Sequence, residues 1–166
     1  IMFSLPADID AREAERQLYL VRRRIEKAVT AELISDFYIC SMSSRSIIYK
    51  GMFLAEQVTE FFPDLNDERF VSSFAIYHQR YSTNTMPTWK LAQPFRVLAH
   101  NGEINTIRGN QNWMTCHEDR MDSDVFGDAI EDLKPVIGKG SSDSAALDAV
   151  FELMGHGGRT LPMVKT

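Results

Sequence analysis

The sequence predicts one mixed domain of α-helices and short β-strands, and three observations support this class. Apolar residues recur at helical spacing in two long stretches, 10–30 and 147–154. Short runs rich in β-branched and aromatic residues lie between them. The 166 residues are 44% hydrophobic and 25% charged, which suits an ordinary globular core. We therefore expect one domain or part of one.

Charge, hydropathy and cysteine content exclude several classes of function. A net charge of -5 provides no basic field for nucleic acid, and its main consequence is solubility. No apolar run approaches the roughly 20 residues of a membrane helix, and no signal peptide is evident. Cys40 and Cys116 lie far apart without metal-ligand spacing, so we expect no metal site, no disulfide framework and a reducing cytoplasm.

The first element is an amphipathic helix over 10–30, capped by Asp8 or Asp10. The run 22–24, three arginines, has two readings: an anion-binding patch or a solvated helix face. Interleaved acidic residues favour the solvated face. The apolar face is expected to consist of residues at spacings of three and four, namely Ala11, Ala14, Leu18, Val21, Ile25 and Ala28.

A β-hairpin is predicted next, from the β-branched and aromatic runs 37–40 and 46–49. Cys40 lies within the first run, where a free cysteine usually behaves as a small buried hydrophobic residue. A helix over 54–62 follows, and Pro63 ends it.

The middle of the chain, 74–114, carries the residues around which the site is predicted. Two strands, 71–82 and 95–100, are expected to end in polar clusters, and the apolar middle of the first suits burial on both faces. The remaining elements are a Pro-containing loop (83–94), a helix (103–117, with Ile104, Ile107, Gln111 and Met114 on one side), a short helical piece (126–133) and a last helix ended by Gly155, Gly157 and Gly158.

Two features at these strand ends have alternative readings. Arg80 either binds a carboxylate through its planar guanidinium group or forms a structural salt bridge. Asn101-Gly102 is either a tight turn or, between a strand and a helix, an oxyanion hole built from the Asn amide and the Gly N–H.

The approach to the last helix carries a further candidate. Asp143 either caps the helix, as Ser142 also can, or binds an ammonium group. Lys139 lacks the spacing of a phosphate-binding loop, and His100 is expected to position other groups. Together these residues describe a site for a free α-amino acid undergoing acyl chemistry on its side chain. A nucleophile is missing, because neither cysteine has a context that activates it.

Long motifs bring a family resemblance over nearly the whole chain. The sequence resembles the class II glutamine amidotransferase domain of the large (α) subunit of glutamate synthase. The motifs that carry the resemblance are 37–41 (FYICS), 49–52 (YKGM), 78–85 (HQRYSTNT), Pro87, Trp89, 91–96 (LAQPFR), 100–106 (HNGEINT), 108–110 (RGN), 112–114 (NWM) and 140–148 (GSSDSAALD).

The resemblance implies an α+β fold, the four-layer α/β/β/α N-terminal-nucleophile hydrolase fold, with antiparallel sheets between helical layers. It implies that Arg80 holds the α-carboxylate of L-glutamine, with Ser82, Thr83 and His100 nearby. Asn101 and Gly102 would form the oxyanion hole, and Asp143 would bind the α-ammonium group.

The full enzyme of this family makes two glutamates from glutamine, 2-oxoglutarate and reductant. It uses FMN, an iron–sulfur cluster, and NADPH (through FAD) or ferredoxin as donor. We expect these cofactors to bind outside this chain. The expected partners are L-glutamine, the rest of the large subunit and a small subunit, without nucleic acid or membrane.

One departure from the family pattern concerns activity. Residue 1 is Ile, whereas the family's nucleophile is an N-terminal cysteine that uses its own amino group as base. We therefore expect residues 1–166 to be an incomplete amidotransferase domain that is inactive by itself. A stand-alone amino-acid-binding module and a purely structural piece are the alternatives.

Overall fold

The computed structural model describes residues 4–78, 88–100 and 104–166, and these residues are helical with long irregular connections. None of the helices described is long and apolar enough to cross a bilayer. The α-helices are α1 (Ala11–Ala31), α2 (Gln57–Phe61), α3 (Ile107–Glu118), α4 (Asp143–His156) and α5 (Leu161–Lys165), and 3-10 helices span Pro63–Asn66, Trp89–Leu91 and Gly127–Leu133.

Helix α1 confirms the predicted first helix almost to the residue. The carboxylate of Asp10 accepts hydrogen bonds from the backbone N–H groups of Arg12 and Glu13, at 2.8 and 3.0 Å. Asp10 is therefore the N-cap, because it satisfies two of the donors that a helix start leaves unpaired. The buried face differs in part from the predicted one. Ala14 and Leu18 are buried as expected, but Val21 is 43% exposed.

The hydrophobic core lies where α1 packs against α4 and the 3-10 helix Gly127–Leu133. This packing explains why the buried stripe of α1 is rotated, since two neighbours contact the helix from different sides. Leu133 is fully buried at its centre. The buried members of the cluster are Tyr19, Leu20, Phe126, Ile130, Leu133, Val136 and Leu153.

The prediction of a solvated face is wrong for Arg22 and Arg23, whereas Arg24 is exposed as predicted. Arg22 is only 2% exposed and forms ion pairs with Glu26 and Glu152. Arg23 donates to the carbonyl oxygens of the segment 133–135, and Arg24 pairs with a carboxylate of the same region. The arginines fasten α1 to its neighbours because each guanidinium finds an acceptor on a packed element.

The predicted hairpin over 37–49 is wrong, since the structure assigns no strand to these residues. Serine hydroxyls accept hydrogen bonds from backbone N–H groups that would pair with the other strand in a hairpin. The Ser41 hydroxyl accepts from Ile48 N–H at 3.1 Å, and the Ser43 hydroxyl accepts from Arg45 N–H at 3.0 Å. Such local side-chain bonds give the backbone an alternative to strand pairing.

The described part of the predicted strand 71–82, residues 71–78, is not a strand either. The expected burial of its middle is also wrong, since Phe74 is 76% exposed and Tyr77 is 82% exposed. Strand propensity reflects the fit to a partly buried sheet, so apolar residues alone do not create a strand where no neighbouring strand pairs with them.

The predicted strand 95–100 is replaced by a turn. Three consecutive backbone N–H groups, those of Arg96, Val97 and Leu98, donate to the carboxylate of Asp148. In a strand, successive N–H groups point to opposite sides, so three cannot reach one acceptor.

Helix α4 confirms the predicted last helix, and Ser142 caps it, because its hydroxyl accepts from Ala145 N–H at 3.2 Å. The predicted end is partly wrong, since Gly155 lies inside α4, which continues to His156 and stops before Gly157 and Gly158.

Helix α3 starts at Ile107, four residues after the predicted start at 103, so Ile104 precedes it. The other residues predicted on one side of this helix, Ile107, Gln111 and Met114, are half-buried.

Candidate functional site

The structure describes some of the residues predicted for the site and not others. Asp143 and His100 are described, and the structure brings them into one hydrogen-bonded group at the start of α4. The other predicted residues, namely Arg80, Ser82, Thr83, Asn101 and Gly102, lie outside the described residues.

Asp143 is the first residue of α4, and its carboxylate is half-buried. Oδ2 accepts from the backbone N–H of Ile104 at 2.9 Å, and Oδ1 accepts from the backbone N–H of Ser144 at 2.6 Å. Since Ser142 provides the cap, Asp143 does not fill the capping role that the sequence left open. Its carboxylate instead links α4 to the chain that follows residue 103.

The electrostatics of Asp143 favour the ionised carboxylate. Burial by itself would raise its pKa, but hydrogen bonds from Ile104 and Ser144, together with the nearby His100, lower the pKa below its usual value. A half-buried anion at neutral pH is able to accept an ammonium group.

His100 connects to Asp143 through Ser144. Its Nε2 lies 2.7 Å from the Ser144 hydroxyl, which in turn lies 3.1 Å from Asp143 Oδ1. The backbone N–H of His100 donates to Gln93 Oε1 at 3.1 Å. Both the ring and the backbone of His100 are therefore held, and the positioning role of His100 stays a prediction.

Asp148 is a residue that the sequence analysis missed. It is 2% exposed, and its Oδ1 accepts from Val97 N–H and Leu98 N–H, both at 2.8 Å, while Oδ2 accepts from Arg96 N–H at 3.2 Å. The available signal was a carboxylate inside the apolar stretch of the last helix, because a buried charge must find partners.

Glu152, one turn further along α4, belongs to a buried ion-pair network. It pairs with Arg22 at 2.7 Å and with Arg96 at 3.7 Å, while Arg96 also pairs with Glu26 at 3.0 Å. Burial raises the pKa of Glu152, although both arginines oppose the shift. The network joins α1, α4 and the turn at 96. Glu152, like Asp148, is a carboxylate within the apolar stretch of the last helix, so the same sequence signal applies to it.

A cavity of about 190 Å³ opens beside this network, between α1, α4 and the segment 41–48. Its charged walls include Arg22 and Arg96, which both pair with Glu152. Neither Asp143 nor His100 lines the cavity. The two described residues of the predicted amino-acid site therefore lie outside the lining of this cavity.

The two cysteines are both free, and neither is placed as an activated nucleophile. Burial raises the pKa of the half-buried Cys40 thiol, which disfavours the reactive thiolate. Cys116 is exposed on α3, and His117 beside it in sequence projects from a different side of the helix. Within the ranges 4–78, 88–100 and 104–166, the side chains also form no cluster suited to a metal ion.

Comparison with known proteins extends these findings. A model of the class II glutamine amidotransferases matches residues 1–165. The glutamate synthase (NADPH) large chain of Azospirillum brasilense is 72% identical over 151 residues, which is 91% of this chain. The corresponding large chain of Bacillus subtilis is 48% identical over 87% of the chain, and the ferredoxin-dependent glutamate synthase of Pyropia yezoensis is 47% identical over 96%.

These relatives are much longer proteins, and the chain spans about 10% of the length of each. The matches confirm the resemblance to the amidotransferase domain of the glutamate synthase large subunit. Since the family model covers nearly every residue, this chain belongs to the class II glutamine amidotransferase family.

Proposed function

We propose that this chain provides the glutamine-binding part of the glutaminase domain of a glutamate synthase large chain. The observation that carries the proposal is Asp143, an ionised, half-buried carboxylate fixed by the backbone N–H groups of Ile104 and Ser144. A free amino acid offers an ammonium group to such an anion. The family match and the 72% identity to a glutamate synthase large chain support glutamine as that amino acid.

The remaining roles follow from the family resemblance. Arg80 would hold the α-carboxylate of glutamine, with Ser82 and Thr83 close by, because a guanidinium binds a carboxylate through two parallel hydrogen bonds. Asn101 and Gly102 would stabilise the tetrahedral oxyanion. The layered sheets of the N-terminal-nucleophile fold belong to the same proposal.

In the proposed parent protein, the ammonia released from glutamine is used with 2-oxoglutarate and a reductant to form two glutamates. FMN, an iron–sulfur cluster and the electron donor would bind to other parts of that protein, and a small subunit would be a further partner. The electron donor would be NADPH, through FAD, or ferredoxin, since relatives of both types match this chain at similar identity. Two free cysteines support a reducing compartment, such as the cytoplasm.

The direct test is the variant Asp143→Asn in the full-length large chain, assayed for ammonia release from glutamine. The substitution removes the charge and retains the size of the side chain. Loss of one charge-assisted bond is expected to raise KM for glutamine about 10- to 100-fold. An exposed carboxylate provides the control, and Asp128→Asn should leave KM unchanged. An unchanged KM in Asp143→Asn would contradict the proposed role.

The chain of 166 residues is itself expected to release no ammonia, since neither Cys40 nor Cys116 is placed as an activated nucleophile. Robust turnover that persists after thiol alkylation would contradict this. Calorimetry with glutamine and glutamate distinguishes the alternatives. Binding without turnover supports a glutamine-binding unit, and the absence of binding supports a purely structural role for this chain alone.

A further inference from the structure

Helix α4 holds the chain on both sides of residues 101–103. On one side, Asp148 accepts from the N–H groups of residues 96–98, and Ser144 contacts the ring of His100 at 2.7 Å. On the other side, Asp143 accepts from Ile104 N–H at 2.9 Å. Three side chains within six residues of one helix thus fix the two flanks relative to each other.

The Asp148 contact determines the register of the turn. Its two oxygens receive three specific backbone donors, so a shift of the turn by one residue would leave a donor or the buried carboxylate unpaired. An unsatisfied buried polar group is costly, and more so when it is charged. The turn is closed further by Phe95 N–H, which donates to Leu98 C=O at 3.0 Å.

His100 follows this turn by two residues, and Asn101 and Gly102 come next in the sequence. Holding the turn therefore also fixes where the chain enters the residues assigned to the oxyanion hole. A carboxylate is well suited to this task, because its hydrogen bonds to N–H groups are directional whereas apolar packing is not.

We propose that Asp148 and Ser144 are positioning residues of the glutaminase reaction, which hold the segment 96–100 on α4 so that the adjoining oxyanion residues meet the substrate bound at Asp143. The inference rests on the proposed function. Asp148 and Ser144 act through the segment 96–100 and need no contact with glutamine. Their loss should consequently lower kcat and leave KM for glutamine largely unchanged.

The experiment uses the full-length glutamate synthase large chain that contains these residues. Glutamine hydrolysis is measured for Asp148→Asn and Asp148→Ala, with kcat expressed per active site titrated by an electrophilic glutamine analogue. Asn retains an acceptor for Val97 and Leu98 but turns an NH₂ group towards Arg96 N–H. A misplacement of about 1 Å is enough to lower kcat ~100-fold, so we expect a loss of ~10- to 100-fold, larger for Ala than for Asn, with KM within about threefold of the parent.

Glu118→Gln is the matched control, because the Glu118 carboxylate also accepts from a backbone N–H, that of Val136 at 2.8 Å, but has no hydrogen bond to the segment 96–100. It should leave kcat per active site unchanged. An equal loss of kcat in Glu118→Gln would overturn the inference, as would an Asp148→Asn variant that keeps at least half of the parent kcat.

Asp143→Asn in the same assay separates this inference from the proposed function. If Asp143→Asn raises KM while Asp148→Asn has normal kcat, the positioning role is wrong and the proposed function stands. If Asp143→Asn leaves KM unchanged, the proposed function itself fails. Should the Asp148 variants not fold, Ser144→Ala decides: a severalfold loss of kcat supports the inference, and parental kcat and KM overturn it.

Discussion

Apolar side chains are buried in the helical core, whereas many apolar side chains of the apolar segment 33–78 are exposed. The helical core, formed by α1, α4 and the 3-10 helix Gly127–Leu133, leaves Leu133 0% exposed and Leu153 7% exposed. In the apolar segment 33–78, Leu33 is 90% exposed and Val71 is 86% exposed. Hydrophobic composition alone therefore does not bury a residue of this chain.

The difference follows from how the backbone N–H and C=O groups of each region form their hydrogen bonds. A helix pairs its own N–H and C=O groups, so it needs only side-chain contacts to join a core. An extended segment needs a neighbouring strand before its side chains share a buried face. The aromatic residues Tyr49, Phe53, Phe61 and Phe62 contact one another within 33–78, but they are close in sequence and none of them is fully buried.

The largest expected effect comes from breaking the buried ion pair that fastens the helical core. Arg22→Met removes the guanidinium that pairs with Glu152 and Glu26. The buried carboxylate of Glu152 is then left with Arg96, 3.7 Å away, as its ion-pair partner. Removing one member of a buried pair typically costs ~3–5 kcal/mol. Urea unfolding of the 166-residue chain measures this loss. A change below ~1 kcal/mol would mean that the network is solvated.

The next effect compares the two regions with one type of substitution. Leu133→Ala leaves a cavity at the centre of the core and should lower the free energy of unfolding by ~2–5 kcal/mol. Leu54→Ala, at a position 63% exposed in the segment 33–78, should change it by less than ~0.5 kcal/mol. Equal losses at both positions would refute the contrast between the regions.

A smaller effect depends on pH and tests the edge of the helical core. His156 stacks on Tyr19 with ring centroids 4.6 Å apart, and burial, with Arg22 nearby, lowers its pKa to about 4. The unfolded chain binds this proton near pH ~6.5. The stability that neutral His156 contributes is thus complete above pH 6.5 and is lost as the pH falls towards 4.

Between pH 7 and 4.5 this loss should amount to ~2–3 kcal/mol, measured by urea unfolding at each pH. His156→Phe keeps a ring against Tyr19 and removes the titrating group. Its free energy of unfolding should fall less over the same interval. An identical fall in both proteins would assign the pH dependence to other groups.

The smallest effect concerns the start of α4. Ser142→Ala removes the hydroxyl that accepts from Ala145 N–H and should cost ~1 kcal/mol in unfolding experiments. Ser142→Asp, which retains an acceptor at the cap, should restore most of the stability. If Ser142→Ala is neutral, Asp143 must take over the cap, and its carboxylate would no longer be available for an ammonium group.

Local sequence signals predict α1, α4 and candidates for their caps. Asp10 and Ser142, each one of two residues that the sequence offers, fill the cap position, because a cap acts on backbone groups two or three residues away. The substrate-binding role of Asp143 stays a prediction. The strands over 37–49, 71–78 and 95–100 were predicted wrongly, because strand pairing depends on a neighbour that local composition does not specify.

The sequence alone determined the family, the extent of α1 and the existence of α4, since motifs, periodicity and caps are properties of neighbouring residues. Only the tertiary structure decided that Arg22 is buried against Glu152, 130 residues away, and that Asp148 binds the turn at 96–98. The physical reason is that a buried charge is stable only beside a specific partner. Packing brings that partner close, and neither residue type nor spacing identifies it.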